Sequence, residues 1–525
     1  MNRLLLTSMT LCLGFAMAAA TATQTANNAA GHTSASQAAI AVRNGVQAYR
    51  QQHEKAILTE FTGLLALPNV ATTVADVERN AAVISTALQK RGFHTRLLSA
   101  GPGTPPAVYG ELLTPGATKT IVFYAHYDGQ PVAQPGWRTP PFTPTMRTGG
   151  TGPDVHDVDW RAAPSIDPEW RIYARSAGDD KASVQVMLSA IDALHAMGKQ
   201  PTVNVKVLYE GEEEQGSQHL PAILAANAKL LAGDLLIVGD GPRDQSGAMQ
   251  IVFGARGVSG LDLTVYGPRL PLHDGHYGNW APNPAVMLTH LLDALRDENG
   301  HILIPGFYDD VRPMTPAEAT ALAALPDVET ALKQNLALGR TETNERLGNA
   351  LFRPALNVRG IRVGNVGKDA ANVISTEARA SLDFRLVPNE TPAGVRDRTN
   401  AYLRTLGWYV VDHDPTNAER SAHPKVVQAN WDLNYAAYRA NIDSHMANVL
   451  VDSIQQVLGT PVIRMPMSGG STPMSMFATA LHMPIISVPI ANYDDNQHAA
   501  NENLRVQNLW DGITIYAGIL TGQGW

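Results

Sequence analysis

His126-Tyr127-Asp128, Asp179-Asp180, the acidic run Glu210-Gly211-Glu212-Glu213-Glu214, Asp240 and His498 are the residues best suited to chemistry in this chain. Four carboxylates within five residues repel one another unless they are solvated or neutralised by cations. Each stretch alone has a plain structural explanation. His-x-Asp can be a hydrogen-bonded turn pair, two aspartates before a helix suit its dipole, and the acidic run can be a solvated loop. Asp240 alone reads as a turn residue and His498 as an exposed loop histidine. The combination asks for more. Two histidines and several carboxylates, with no cysteine among them, suit zinc, with cobalt or manganese as substitutes. Two such ions, about 3.5–4 Å apart and sharing a bridging carboxylate and water, stabilise both nucleophile and leaving group. A spare carboxylate beside the ligands can act as base and later protonate a leaving amine. The chemistry indicated is hydrolysis of an amide bond.

The elements around these residues put them at strand ends. Ile121 to Ala125 is a short apolar run, a buried strand ending in His126. Val203, Val205 and Val207 alternate with polar residues into Glu210, and Leu235 to Val238 is a strand ending before Asp240. Asp128 lies two residues beyond His126 and points the same way in an extended segment, as a second ligand or as a partner fixing the ring. Helical spacing marks Gln37 to Leu65, Val74 to Arg91 and Lys181 to Met197. Strands alternating with helices predict an α/β sheet with parallel members, whose ligands bind beyond the carboxyl ends of the strands. Thr143 to Pro168, rich in Gly, Pro and Asp, reads as a long surface loop. From about Gln250 the texture changes. Ile251 to Phe253 and Leu261 to Tyr266 read as strands of a sheet with a different partner, followed by helical stretches at Ala285 to Arg296 and Pro316 to Leu336 and a strand at Ala378 to Leu386. This block, 245–425, reads as an inserted domain.

With 525 residues, two or three domains are expected. An apolar content of 44%, with 17% charged residues, fits a globular protein, and a formal charge of -8 gives no electrostatic reason to expect nucleic acid. Arg3, the apolar run Leu4 to Ala18 and the small-x-small sites at Ala16–Ala18 and Ala20–Ala22 read as a secretory signal peptide, residues 1–22. The run is short for a membrane span of roughly 20 residues. Export to the periplasm or the medium is expected, with no membrane span after cleavage. The one cysteine, Cys12, lies in this leader, so the mature chain would have neither a disulfide nor a thiolate ligand.

Longer stretches carry a resemblance. They are His126-Tyr127-Asp128-Gly129-Gln130-Pro131 with Gly136-Trp137 and Pro140-Pro141-Phe142 behind it, Ala174 to Lys181, Glu210 to Ser217, and His498 with Asn501-Glu502. In these the chain resembles the aminoacylase/carboxypeptidase family of di-zinc hydrolases, which includes carnosinases, glutamate carboxypeptidase, aminoacylases and succinyl-diaminopimelate desuccinylase. The resemblance implies a zinc-exopeptidase-like α/β catalytic domain with a mixed, mostly parallel sheet (35–244 and 426–525). It also implies an inserted α+β lid and dimerisation domain (245–425). Position by position, it implies that His126 and Asp240 hold one zinc, Glu214 and His498 the other, and that Asp179 bridges them before a cis bond to Asp180. Asp128 would orient His126, and Glu213 would be general base and acid. Glu210 and Glu212 are left as local structure or solvated charge.

The inserted block resembles the family as well, at Gly254-Ala255-Arg256-Gly257, Leu272-His273-Asp274-Gly275, Asn372-Val373-Ile374 and Phe384-Arg385-Leu386-Val387-Pro388. His273 would polarise the scissile carbonyl, often from the partner subunit of a homodimer. Arg385 would bind a substrate carboxylate, and Gly470 and Ser471 in Gly469-Gly470-Ser471-Thr472-Pro473 would form a substrate-binding loop. The chain departs from the family pattern where Ser176 and Ala182 replace glycines and Asp274 replaces a serine.

The function expected is a zinc-dependent exopeptidase acting on dipeptides or short peptides with a free C-terminal carboxylate. An N-acyl-amino-acid amidohydrolase with the same two-zinc mechanism is the alternative. A third reading, a degenerate metal-binding or receptor-like protein, is disfavoured because binding alone does not need Glu213.

Overall fold

Val122, Phe123, Tyr124 and Ala125 are all buried, so both faces of the strand Thr120–His126 are covered, as its unbroken apolar run requires. The computed structural model describes residues 36–133, 135–149 and 155–525, and the expected signal peptide and Cys12 lie outside them. Thr120–His126 sits inside an eight-stranded sheet whose order is His94–Leu98, Ala107–Leu112, Asn204–Glu210, Thr120–His126, Leu235–Val238, Ile485–Ser487, Gln250–Val252 and Ile463–Met465. The central strands Asn204–Glu210, Thr120–His126, Leu235–Val238 and Ile485–Ser487 run parallel, and antiparallel pairs flank them. Helices Gln37–Leu65, Lys181–Ala196, His445–Leu458 and Val506–Leu520 pack together with one face of this sheet in the largest core. Leu220–Leu231 and Met474–Leu481 share a second core on the other face.

A separate five-stranded sheet has the order Ala355–Arg362, Glu377–Leu386, Gly257–Tyr266, Val426–Leu433 and Tyr409–Val411. It is antiparallel except for its last pair. Helices Pro284–Leu295 and Pro392–Thr405 share its core, in which Leu263, Leu291, Phe384 and Val395 are buried. The chain enters and leaves this unit side by side, with Gly254–Ala255 paired to Tyr438–Arg439.

Four expectations need correction. Gln250–Val252 pairs with Ile463–Met465 and Ile485–Ser487 in the larger sheet, although sequence put it after a boundary at 244/245. Val426–Leu433 pairs with Gly257–Tyr266 in the smaller sheet, although sequence put it after a boundary at 425/426. Short apolar strands look alike whichever sheet they join, because their pattern reports burial and not the partner. The stretch read as a surface loop from Thr143 to Pro168 contains the strand Thr145–Arg147, which pairs with Arg171–Tyr173, and its Trp160 is in the main core. The helical stretch at Pro316 to Leu336 is two helices, Pro316–Ala323 and Glu329–Asn335, broken around Pro326.

Candidate metal centre

The parallel register fixes the first contacts. His126 pairs directly with Glu210 at the carboxyl ends of adjacent strands. The chain then turns at Gly211 into the short 3-10 turn Glu213–Gln215. Glycine is required at 211, because a Cβ there would lie 2.6 Å from both the Tyr127 hydroxyl and a Val77 methyl. Asp240 follows the neighbouring strand end, after Gly239, whose missing Cβ leaves room for the Ser183 hydroxyl at 2.5 Å.

Asp179 lies at the centre. Its Oδ1 is 2.8 Å from His126 Nε2 and its Oδ2 is 3.1 Å from His498 Nε2. His498 Nε2 is also 3.3 Å from Glu214 Oε2. The bond between Asp179 and Asp180 is cis. Two groups of possible ligands result, His126 with Asp179 and Asp240, and Asp179 with Glu214 and His498, and within each the ligand atoms lie within 4.8 Å of one another.

The charges of this cluster do not balance. Burial would raise the Asp179 carboxyl, but hydrogen bonds with His126 and His498 hold it below the ordinary range. Burial, with Asp179 adding, pushes Asp240 up to about 6 and Glu214 up to about 8. Glu213 is pushed well above its ordinary value by burial, against His126, with Asp240, Glu214 and Asp179 adding to the rise. His498 is raised to about 9, first by its hydrogen bond to Asp179. Bound cations would supply the positive charge that these crowded carboxylates favour. The Asp240 Oδ1 atom is buried without a hydrogen-bond partner, and such an atom normally has one. Two imidazole nitrogens and three carboxylates, one of them shared, are a donor set that fits a pair of divalent cations such as zinc.

Asp128 sits behind this centre, fully buried, with Oδ1 3.4 Å from His126 Nδ1. Its hydrogen bonds come from the acidic turn, Glu213 N to Oδ1 at 3.1 Å and Glu214 N to Oδ2 at 3.0 Å. It therefore holds the turn that carries Glu213 and Glu214 as well as abutting the ring. Glu210 and Glu212 are both buried, which removes solvated charge as an account of either. Glu210 accepts from the Tyr124 hydroxyl at 2.7 Å and burial pushes it up to about 7, while Glu212 meets His219 Nδ1 at 2.8 Å.

Sequence reasoning left Glu502, Asn501, Gln130 and Gln497 without roles. Glu502 is fully buried and accepts from Arg175 Nη1 at 2.8 Å and from the backbone N–H groups of Ser176, Gly178 and Asp179 at 3.0, 3.0 and 3.1 Å. It ties down the loop that presents Asp179. Ser176, one of the residues replacing a glycine, has φ of 63°, the left-handed region that glycine adopts without cost. The Asn501 amide donates to Gly136 O at 2.8 Å and accepts from Arg138 N at 2.9 Å, clipping the loop of His498 to the loop after the first motif. Gln497 donates to Asp179 Oδ2 at 2.9 Å and Gln130 to Glu214 Oε2 at 2.8 Å. Gln130, Asn501 and Glu502 had one signal, their place in the stretches that carry the resemblance, and Gln497 had only its position beside His498.

A cavity of about 820 Å³ opens above this floor, and Arg385, Gly470 and Ser471 line it together with Asp179, Glu213, Glu214, Asp240 and His498. Arg385 Nη1 donates to Ser471 Oγ at 3.1 Å and its Nε to Asp383 Oδ2 at 2.7 Å, so the guanidinium is held from two sides. His273 does not line the cavity of its own chain. It is 55% exposed on the outside of the inserted unit, paired in register with Val373.

Comparison with known proteins agrees with this geometry. Residues 122–522 match the family described as Peptidase family M20/M25/M40. The human Beta-Ala-His dipeptidase is 27% identical, over 84% of this chain and 83% of that protein. The Cys-Gly metallodipeptidase dug1 of Schizosaccharomyces pombe is 26% identical, over 78% of this chain and 81% of that protein. Among solved structures, an M20 family metallo-carboxypeptidase from Sulfolobus solfataricus superposes with a TM-score of 0.72 at 29% identity, covering 88% of this chain and 98% of its own.

Proposed function

The chain belongs to the peptidase family M20/M25/M40 and is a metal-dependent hydrolase, and from that premise we propose that it cleaves the amide bond of dipeptides or short peptides with a free C-terminal carboxylate, using two zinc ions per chain. The observation that carries this reading is the pair of ligand groups sharing Asp179, in one cavity with a braced arginine. His126 and Asp240 would hold one ion, Glu214 and His498 the other, with Asp179 between them. Bound there, the ions supply Lewis-acid polarisation of the scissile carbonyl and make water acidic enough to attack near neutral pH. Glu213 takes the proton of the attacking water and returns it to the leaving amine. Asp128 keeps Glu213 and Glu214 in place through their backbone N–H groups. Arg385 receives the substrate carboxylate on the part of its fork that Asp383 and Ser471 leave free, beside the backbone of Gly470.

The relatives named as dipeptidases favour a dipeptide over an N-acyl amino acid. A homodimer through the inserted unit, with His273 entering the partner's cavity, is supported by the apolar surface around it, where Trp280 is 78% exposed and Val373 43%. The leader at 1–22 supports export to the periplasm or the medium. Among the described residues no helix is long and apolar enough to cross a membrane.

The test is a panel of dipeptides against N-acetyl amino acids, assayed with the zinc-loaded chain and again after chelation. Dipeptides should be cleaved, chelation should abolish turnover, and zinc or cobalt should restore it. Turnover indifferent to chelators removes the metal mechanism, and cleavage of N-acetyl amino acids alone replaces the peptidase with the deacylase.

A further inference from the structure

One stretch of the cavity wall sets apolar residues beside Glu329, Arg346 and Asn349. Leu325, Leu347 and Leu351 line the same cavity as Arg385 and Ser471. This wall is braced. Arg346 Nη2 donates to the carbonyls of Leu325 at 2.9 Å and Pro326 at 3.0 Å, beyond the end of helix Pro316–Ala323. Glu329 accepts from Leu347 N at 3.0 Å and lies 3.4 Å from Arg346 Nε. These bonds fix the short helix Leu347–Ala350 against the end of its neighbour.

The wall also touches the loop that holds Arg385. A Cβ placed on Gly469 would meet Leu351 Cδ2 at 2.8 Å, and Ser471, two residues on, accepts from Arg385. Leu347 remains 39% exposed, so it forgoes part of what full burial would give a leucine. A rigid backbone that holds leucines open toward a cavity is suited to receiving an apolar group.

The inference rests on the reading that a substrate carboxylate sits on Arg385 while the scissile amide lies over Asp179. Between those two points is the Cα of the carboxyl-terminal residue. Its carboxylate and its amide are both engaged, and its side chain is the one group left without a polar partner. We infer that Leu325, Leu347 and Leu351 form a specificity pocket for a large apolar side chain on the carboxyl-terminal residue of the substrate. The substrates selected are dipeptides ending in leucine, methionine or phenylalanine, in preference to glycine.

The experiment compares Ala-Leu with Ala-Gly on the zinc-loaded full chain. A side chain filling an apolar pocket gains about 10- to 200-fold per methylene at most, so kcat/KM for Ala-Leu should exceed that for Ala-Gly by at least about tenfold. Leu347→Asp should collapse this ratio and Leu347→Met should keep it. Calorimetric titration of the Glu213→Gln chain, which holds substrate without turning it over, should show the same preference in Kd. A wild-type ratio near one, or a ratio that Leu347→Asp leaves intact, overturns the pocket while the peptidase reading stands. Failure to cleave either dipeptide, with N-acetyl-leucine cleaved instead, overturns the peptidase reading and this inference with it.

Discussion

Replacing Glu502 with glutamine cuts the support beneath the metal centre without changing the shape of the side chain. All four groups facing this carboxylate are donors, Gly178 N and Asp179 N on Oε1, and Arg175 Nη1 and Ser176 N on Oε2. Burial and the nearby Asp179 push its carboxyl up and Arg175 pulls it down, and four donors with no acceptor favour the ionised form. A glutamine amide offers one acceptor atom and one donor group, so whichever way it turns, two of the four bonds are lost and N–H faces N–H. Arg175, with 1% of its side chain exposed, would be left with its charge buried and uncompensated. Removing one member of a buried ion pair costs about 3–5 kcal/mol, and each orphaned buried N–H about 1–3 kcal/mol. These costs overlap, and a loss of about 4 kcal/mol is expected. Because Asp179 N is one of the donors, affinity for zinc should also fall about 10- to 100-fold. Urea unfolding of the metal-free chain measures the first effect and competitive zinc titration the second. A variant with wild-type stability and wild-type zinc affinity would refute the idea that Glu502 holds the Asp179 loop.

Glu213→Gln should keep both metals by elemental analysis and lose about 10²- to 10⁴-fold in kcat; full activity would remove Glu213 as the base. The metal-free chain should become less stable as pH rises from about 5 to about 9. The sign follows from folded values raised for Asp240 (about 6), Glu210 (about 7), Glu214 (about 8) and His498 (about 9), each group binding its proton more tightly folded than unfolded. Zinc should remove most of that slope, and thermal unfolding that is flat with pH in the metal-free chain would contradict it. Asn501→Ala breaks the clip between the His498 loop and residues 136–138, so one of the two zinc ions should bind more weakly while the fold persists; unchanged titration curves for both ions would argue against it. His273→Ala and Glu213→Gln chains, each inactive alone, should regain activity when mixed as subunits, because a hybrid dimer has one complete site. Absence of any recovery would place His273 outside the reaction of a partner.

What sequence could reveal follows from how locally each feature is encoded. His126, Glu214 and Asp240 stand at or just beyond the ends of buried strands, and alternation or an apolar run marks such strands without knowledge of the fold. Assigning these residues a common task took the resemblance of whole motifs, since a histidine or a carboxylate pair alone has ordinary explanations. The supporting contacts were not legible. Asp128 satisfies the backbone of a turn about 85 residues away and Asn501 clips a loop far earlier in the chain, and no local pattern records such pairings. Sheet membership failed for the same reason, as Gln250–Val252 and Val426–Leu433 show. Trp160 was missed because a single aromatic in a Gly- and Pro-rich stretch gives no period to read.

The place of Ile485–Ser487 in the larger sheet has a consequence for synthesis. This strand fills the space between Leu235–Val238 and Gln250–Val252. When the chain emerges N-terminus first into the compartment where it folds, its N-terminal half can assemble its early strands, but Leu235–Val238 keeps an unpaired edge until residue 485 has emerged. His498 comes later still. The inserted unit, whose strands all lie between 257 and 433, can fold in the interval. Metal capture is therefore among the last events in the maturation of this protein, and a chain truncated before Ile485 is expected to carry a finished inserted unit beside an open, metal-free sheet.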